Sequence, residues 1–226
     1  MTAQPLPTLL TNLHNAAAAA GRPDPVLLAV SKTQPAEAVQ ALAAQGQRAF
    51  GENYVQEAVA KIEALAALGL EWHLIGHLQS NKADLAARHF DWVQSVDRLK
   101  LVTALATHRP ARQPPLNVLI QVNIDDEDSK HGCAPEDIPP LAAAIAAAPQ
   151  LRLRGLMAIP APWPDAERRQ AAFTRMGALF AALAATYPQV DTLSMGMSSD
   201  YPEAIAHGAT LVRIGTALFG ARPRPA

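Results

Sequence analysis

The hydrophobic pattern divides the chain into short apolar runs separated by longer segments rich in alanine and leucine. Most of the runs are nearly continuous rather than alternating with polar residues, which is typical of strands covered on both faces. The predicted strands are 26–32, 48–53, 71–76, 91–96, 116–124, 152–159, 190–198 and 210–220. The pattern therefore indicates a parallel β-sheet whose two faces are both buried.

The segments between the strands have the composition and the end signals of helices. Pro35 suits the first turn of one helix. Ser80 and Asp97 are predicted to cap two others, because short polar side chains accept hydrogen bonds from free backbone N–H groups there. The predicted helices are about 6–20, 35–45, 54–68, 81–89, 98–107, 135–148, 165–187 and a short one that ends at 206.

The order of these elements predicts the fold. Strands and helices alternate strictly after an extra helix at the N-terminus, which implies parallel strands joined by right-handed crossovers. Eight such units in 226 residues indicate a single (β/α)8 barrel, a TIM barrel, that spans 1–226 with a frayed tail at 221–226. A doubly wound open sheet is the alternative, since the pattern alone does not show closure.

Composition and net charge exclude several classes of function. Half of the residues are hydrophobic and the formal net charge is −1, so no electrostatic footprint for nucleic acid or an acidic membrane exists. No signal peptide or membrane-spanning run is recognised. The one cysteine, Cys133, excludes an internal disulfide and fits a reducing compartment. We expect a cytoplasmic protein.

The sequence at the ends of the last two predicted strands favours a phosphate-binding site there. Barrel enzymes gather their active sites at the carboxyl ends of the strands and frequently bind phosphate after strands seven and eight. The segment 195-MGMSSD-200 ends a strand and opens a short helix, whose backbone N–H groups could hold an anion. The segment 213-RIGTALFG-220 adds a glycine and a threonine, where the backbone can approach a phosphate closely.

Lys32 ends the first predicted strand and has two interpretations. It is either a solvated lysine or a nucleophilic amine at the barrel mouth, where partial desolvation favours the neutral form that condenses with an aldehyde. A lysine, a basic residue and a phosphate site together suggest pyridoxal phosphate (PLP), which needs an amine for its aldehyde and a cradle for its phosphate. His73 and His77 lack the glutamate and helical spacing of a zinc motif, so no metal site is predicted.

Seven segments, in order and covering nearly the whole chain, resemble one known family, the YggS-like (PROSC) pyridoxal phosphate homeostasis proteins. They are 28-LAVSKTQP-35, 49-AFGENYVQE-57, 72-WHLIGHLQSNK-82, 121-QVNIDDEDSKHG-132, 152-RLRGLMAIP-160, 193-LSMGMSSD-200 and 211-LVRIGTALFGAR-222. The resemblance implies a barrel similar to the N-terminal domain of alanine racemase, without that enzyme's second domain.

The resemblance also implies a set of cofactor-binding residues. Lys32 would form the Schiff base with PLP, Arg213 would face the pyridine nitrogen, and Asn53 would lie near the ring. The phosphate would bind to the remaining residues, which are Ser198, Gly215 and Thr216. Three further residues are possible walls of the site, namely His73, Met157 and Ser194.

Arg213 bears on what such a site could do. A permanently charged guanidinium beside the ring nitrogen disfavours a protonated pyridine and so argues against transamination. Racemisation needs acid/base groups on both faces of the substrate Cα, and the alanine racemase pattern takes one of them, a tyrosine, from the second domain. Tyr54 and Tyr201 are the only plausible substitutes in this chain.

Three functions therefore stay open. The first is a monomeric PLP-binding protein that acts in vitamin B6 homeostasis and delivers PLP to apo-enzymes without catalysis of its own. The second is a PLP-dependent amino-acid racemase. The third is an aldolase that uses Lys32 as its nucleophile on a sugar phosphate.

Overall fold

A computed structural model describes residues 4–125, 131–161, 163 and 165–220, and the predicted tail at 221–226 lies outside these residues. Eight parallel strands close into a barrel in sequence order. The barrel closes where Val26 to Ala29 of the first strand pair with Leu211 to Ile214 of the last. The strands are β1 Val26–Val30, β2 Ala49–Glu52, β3 Glu71–Leu74, β4 Trp92–Val96, β5 Leu116–Val122, β6 Leu151–Ala158, β7 Thr192–Ser194 and β8 Leu211–Ile214. The predicted barrel is confirmed, and the alternative of an open sheet is wrong.

Helices surround the barrel. They are α1 Leu6–Ala19, α2 Ala36–Ala44, α3 Val55–Ala64, α4 Ala83–His89, α5 Leu99–His108, α6 Ile138–Ala146, α7 Ala166–Thr186, α8 Tyr201–Ala206 and α9 Thr216–Phe219. The extra helix α1 buries Leu6, Leu9, Leu13 and Ala17, a spacing of three and four residues that lines one helix face. In the described part of the chain, no helix is both long enough and apolar enough to span a bilayer.

The structure corrects several predicted boundaries. Strand β7 stops at Ser194 because the chain turns at Gly196, whose φ of 90° belongs to the left-handed region. Strand β8 stops at Ile214, and the residues that were predicted to extend it form α9 instead. The predicted caps Ser80 and Asp97 are also wrong, since the helices that they precede have no side-chain cap.

The side chains of each strand alternate between two cores. One set of strand positions packs against the helices in a large apolar cluster that includes Phe50, Leu74 and Ile120. The other set faces the barrel interior, as the alternation of a closed barrel requires. That interior combines small apolar clusters with buried polar side chains. These buried polar side chains lie beneath the candidate site described next.

Candidate functional site

A cavity of about 390 Å³ lies at the carboxyl ends of the barrel strands. This is the end of the fold at which barrel enzymes bind their ligands. All six residues that the family resemblance assigns to a cofactor line this one cavity: Lys32, Asn53, Ser198, Arg213, Gly215 and Thr216. The fold thus brings together residues that lie as far apart as β1 and α9 in the chain.

Lys32 follows β1 and is half-buried at the cavity wall. The residues on either side of it are held by a cluster of buried polar groups. The Ser31 hydroxyl donates to Glu52 Oε1 at 2.6 Å, and the Thr33 N–H donates to Glu57 Oε1 at 2.7 Å. Thr33 has a φ of 63°, a left-handed conformation that a β-branched residue rarely adopts. The backbone around Lys32 is therefore fixed in a strained shape by side chains of the neighbouring strand and helix.

Lys61 of α3 joins these contacts into one cluster. Its Nζ donates to the Ser31 carbonyl oxygen at 2.8 Å, to Glu52 Oε1 at 2.9 Å and to Glu57 Oε1 at 2.7 Å. We call Ser31, Glu52, Glu57 and Lys61 the Lys32 support. Burial raises the pKa of Glu52, whereas the hydrogen bonds from Lys61 and Ser31 oppose that rise. The ammonium of Lys61 thus compensates a carboxylate that is completely buried.

The adjoining wall of the cavity is formed by the segments after β7 and β8, since β8 pairs with β1. Gly215 precedes α9, and the first turn of a helix leaves backbone N–H groups without intrahelical partners. A Cβ at Gly215 would meet the Val30 carbonyl oxygen at 3.3 Å, so glycine permits the close approach of β8 and β1 here. Hydroxyls of Ser198 and Thr216 line the same wall. The arrangement offers hydroxyl and backbone donors of the kind that bind phosphate.

The loop after β7 is folded back by its own aspartate. Asp200 Oδ1 accepts a hydrogen bond from the Met197 N–H at 2.6 Å. A Cβ at Gly196 would lie 2.6 Å from the Ala204 Cβ, so only glycine allows the chain to turn this close to α8. These two features hold Ser198 at the cavity rather than on a continued strand.

Arg213 of β8 reaches the cavity from below and is almost fully buried. Its Nη1 donates to Ser194 Oγ at 2.7 Å, and its Nη2 donates to the Ala158 carbonyl oxygen at 2.8 Å. Burial lowers the pKa of Arg213 to about 10, which still leaves the guanidinium positively charged at pH 7. The site therefore holds a fixed positive charge beneath the cavity floor.

Asn53 and three apolar side chains complete the cavity. Val30, Ile75 and Ile159 provide apolar wall, as a planar ring requires. Asn53 Oδ1 is buried and has no hydrogen-bond partner among the described residues. Since an amide can present either its oxygen or its NH₂ group, Asn53 is suited to a polar substituent of a ligand.

A smaller cavity of about 230 Å³ adjoins the first and shares Asn53, Ile75 and Ile159 with it. Its far side carries His77 and His131, whose rings stack with centroids 3.7 Å apart. Burial and the neighbouring His131 lower the pKa of His77. The space open to a ligand thus continues from the wall that carries Ser198, Gly215 and Thr216 toward β3 and β5. Within the described ranges, no three His, Cys, Asp or Glu side chains form a group that could hold a metal ion.

The residues named as possible walls occupy other places. His73, Met157 and Ser194 are not among the lining residues and lie buried in the barrel interior. Tyr54 and Tyr201 do not line the cavity either, and Tyr54 is 59% exposed. Neither tyrosine is positioned as an acid/base group for a ligand in this cavity.

Sequence reasoning missed the polar residues behind the cavity. Glu57 and Lys61 carry a visible signal, because an acid and a base four residues apart on a helix form an ion pair. That spacing does not reveal that Lys61 also contacts a buried strand carboxylate. Gln94 gave no signal at all, because a polar residue in a short apolar strand is common on either face.

The residues present fit PLP. The cavity volume lies within the roughly 300–1,000 Å³ of small-molecule sites. The cavity is lined by a lysine amine, by hydroxyl and backbone groups suited to a phosphate, by a buried guanidinium and by an amide oxygen that has no hydrogen-bond partner among the described residues. No feature of the described cavity conflicts with a phosphorylated aromatic aldehyde.

Comparison with known proteins agrees with this geometry. A family model for the N-terminal domain of alanine racemase matches residues 6–223. The pyridoxal phosphate homeostasis protein of Escherichia coli K12 is 57% identical over 199 residues, which cover 87% of this chain and 85% of the relative. The protein of the same name from Pseudomonas aeruginosa is 55% identical over 223 residues, 97% of this chain and 95% of that one.

Two solved structures are also similar to this chain, one of them in its fold alone. PipY of Synechococcus elongatus, determined with PLP bound, superposes with a TM-score of 0.78 at 39% identity and covers 92% of this chain and all of its own. The alanine racemase of Corynebacterium glutamicum superposes with a TM-score of 0.65 at 21% identity. It covers 99% of this chain, while this chain spans 63% of the racemase, and at that identity it shows the shared barrel fold alone.

Proposed function

Because the chain belongs to the family of pyridoxal phosphate homeostasis proteins, we propose that it binds PLP and holds it for vitamin B6 homeostasis and delivery rather than for catalysis. One observation carries the proposal. All six residues that the family resemblance assigns to PLP line a single cavity in the expected part of the barrel. PipY, which is 39% identical, binds PLP in its solved structure.

Each residue has a role in this proposal. Lys32 binds the cofactor covalently through its Nζ, and Ser198, Gly215 and Thr216 bind the phosphate. Arg213 donates toward the pyridine nitrogen and keeps it unprotonated, and Asn53 contacts a polar ring substituent. When bound, PLP supplies an aldehyde that condenses with amines and a ring that can withdraw electrons.

The chain's own groups favour holding over turnover. A guanidinium that stays charged beneath the ring opposes pyridine protonation, which disfavours transamination and is compatible with racemisation or with holding. Racemisation also needs an acid/base group opposite the lysine, and neither Tyr54 nor Tyr201 lines the cavity. Delivery to apo-enzymes, a monomeric state and action in the cytoplasm are parts of the same proposal. The single cysteine supports a reducing compartment.

A transfer experiment separates delivery from catalysis. The protein is loaded with PLP, freed of excess cofactor and mixed with an apo-transaminase, and recovery of transaminase activity is followed. In parallel, exchange of the Cα hydrogen of alanine and other amino acids for deuterium is measured by mass spectrometry. We expect transfer of PLP to the apo-transaminase without exchange of the Cα hydrogen. In Lys32→Ala we expect neither PLP binding nor PLP transfer.

A different outcome would favour the racemase. Lys32-dependent exchange at Cα, reduced in Tyr54→Phe or Tyr201→Phe, would contradict the holding function. Failure of the wild-type protein to bind any PLP would remove both functions. It would leave the aldolase hypothesis, which predicts borohydride trapping with a sugar phosphate and no cofactor.

A further inference from the structure

A continuous chain of hydrogen bonds, buried except for the last one, connects Arg213 with the opposite end of the barrel. Arg213 Nη1 contacts Ser194 Oγ at 2.7 Å, and Ser194 Oγ contacts Gln94 Oε1 at 2.7 Å. Gln94 Nε2 lies 2.9 Å from His73 Nδ1, and His73 Nε2 lies 2.8 Å from Glu71 Oε1. Glu71 is the first residue of β3, at the amino end of the barrel. We call these five residues the Arg213 relay.

The chemistry of the two end groups fixes the direction of every bond in the relay. Arginine can only donate, so Ser194 Oγ accepts from it and gives its one hydrogen to Gln94 Oε1. The Gln94 amide must then present its NH₂ group to His73 Nδ1, which has to be unprotonated. The remaining His73 proton therefore sits on Nε2 and is donated to Glu71, which in its ionised form can only accept.

The surroundings of His73 maintain this arrangement. The imidazole is buried and stacks on the Trp92 ring with centroids 5.0 Å apart and an angle of 9°. Burial lowers the pKa of His73, so the ring stays neutral near pH 7 although Glu71 and Asp91 oppose the shift. The hydrogen bond from His73 lowers the pKa of Glu71, which keeps the carboxylate ionised and able to accept.

We propose that Glu71 and His73 are positioning residues for Arg213, which they orient through Gln94 and Ser194 from the far end of the barrel. The proposal rests on the proposed function, in which Arg213 faces the cofactor. Glu71 selects the His73 tautomer, that tautomer selects the orientation of the Gln94 amide, and the amide makes Ser194 an acceptor for the guanidinium. A half-exposed carboxylate outside the cavity thereby determines the geometry of a group inside it.

The opposite tautomer of His73 shows why the directions of the hydrogen bonds in the relay matter. If Nδ1 of His73 carried the proton, Gln94 would have to turn its oxygen toward the ring and its NH₂ group toward Ser194. Ser194 would then face two donors, and its own hydrogen would lose its acceptor. A buried polar group without a partner is costly, so the fit of Ser194 to Arg213 would loosen.

The test compares three substitutions at the amino end of the barrel. Glu71→Leu removes the acceptor, whereas Glu71→Gln removes the charge and keeps an oxygen that can accept from His73. Asp24→Asn is the matched control, because Asp24 precedes β1 at the same end of the barrel, pairs with the exposed His14 and takes no part in the relay. For each protein, the ¹⁵N shifts of the His73 ring report its tautomer without ligand, and an absorption titration gives the dissociation constant for PLP.

We expect Glu71→Leu to lose the fixed Nε2–H tautomer and to weaken PLP binding about three- to tenfold. Glu71→Gln and Asp24→Asn should keep both properties within about twofold of the wild type. In a Gln94→Met background, which interrupts the relay, adding Glu71→Leu should change PLP affinity by less than about twofold. A merely structural role would instead give additive losses and no rescue by glutamine.

Two results would overturn the proposal. The first is a Glu71→Leu protein that binds PLP as tightly as the wild type. The second is an equal loss in Asp24→Asn, which would assign the effect to the charge of that barrel end. Both are distinct from failure of the proposed function, in which the wild-type protein itself does not bind PLP. The tautomer measurement needs no cofactor and tests the relay in either case.

Discussion

Two buried polar networks lie beneath the same cavity, and they are built in different ways. The Lys32 support is charged and local, since it pairs Lys61 with Glu52 and Glu57 from the adjoining strand and helix. The Arg213 relay has neutral groups in its centre, and one of its hydrogen bonds joins residues 100 positions apart in the chain. A local ion pair fixes backbone shape, whereas a long relay of neutral groups fixes orientation. The two networks should therefore fail in different ways.

The largest effect is expected from breaking the Lys32 support. Lys61→Met leaves the Glu52 carboxylate buried without its cation, and loss of one partner of a buried pair costs about 3–5 kcal/mol. Urea unfolding at pH 7 measures the change. Lys100→Met, on the exposed face of α5, is the control and should cost less than about 0.5 kcal/mol.

The charge state of Glu52 sharpens that prediction. Burial holds its pKa above the ordinary value in the folded protein, so protonation stabilises the fold and stability is lost as the pH rises through the folded pKa. Without Lys61 this loss should grow between pH 5 and pH 8. The double variant Glu52→Gln/Lys61→Met should recover part of the stability. A single variant as stable as the wild type would show that the pair is not what holds this region.

For the Arg213 relay we expect a smaller pH dependence of stability with the opposite sign, so that stability is lost as the pH falls. The folded pKa of His73 lies below the unfolded value of about 6.5, so its contribution is complete above that value and is lost as the pH falls toward the folded pKa. The loss cannot exceed about 1.4 kcal/mol for each pH unit. Urea unfolding at pH 5, 6 and 7 should show a shallower decline in His73→Gln than in the wild type.

A second histidine serves as the comparison for this slope. Burial and His131 also lower the pKa of His77, but His77 lies at the smaller cavity and outside the relay. His77→Asn should reduce the acid slope less than His73→Gln, because the deeper ring is desolvated more completely. Equal slopes in all three proteins would contradict the assignment of the effect to His73.

The smallest effect is expected from the strained residue beside Lys32. Thr33 has a positive φ, and glycine adopts that conformation without a steric cost. Thr33→Gly should therefore raise the free energy of unfolding by about 1 kcal/mol or less, whereas Thr33→Ser should leave it unchanged. The bond from the Thr33 N–H to Glu57 survives in both variants. A clear loss of stability in Thr33→Gly would mean that the threonine side chain itself contributes to the Lys32 support.

The sequence predicted the fold because that information is local. Continuous apolar runs and intervening helix patterns are read within about ten residues, and the closed barrel follows from their alternation. The boundaries of β7 and β8 were predicted too long because the turn at Gly196 and the start of α9 depend on contacts with α8 and Val30. Hydrophobicity alone does not show where those contacts end a strand.

Only part of the site was predictable, because the hydrophobic pattern carries local information and does not show tertiary contacts. Residues at strand ends, such as Lys32 and Arg213, can be placed at the barrel mouth by counting strands. The supporting residues cannot, because the contact of Gln94 with Ser194 exists only after β4 and β7 have entered one barrel. Buried polar networks are set by tertiary structure and leave little trace in the hydrophobic pattern.

The most direct test of the proposed PLP-binding function is to identify the residue to which PLP attaches. The protein is mixed with PLP, reduced with borohydride and digested, and the modified peptide is identified by mass spectrometry in the wild type, in Lys32→Ala and in Lys82→Ala, a control at a lysine that is half-buried like Lys32. The account predicts one adduct on the Lys32 peptide, absent in Lys32→Ala and unchanged in Lys82→Ala. No adduct, or an adduct spread over several lysines in the wild type, would contradict it.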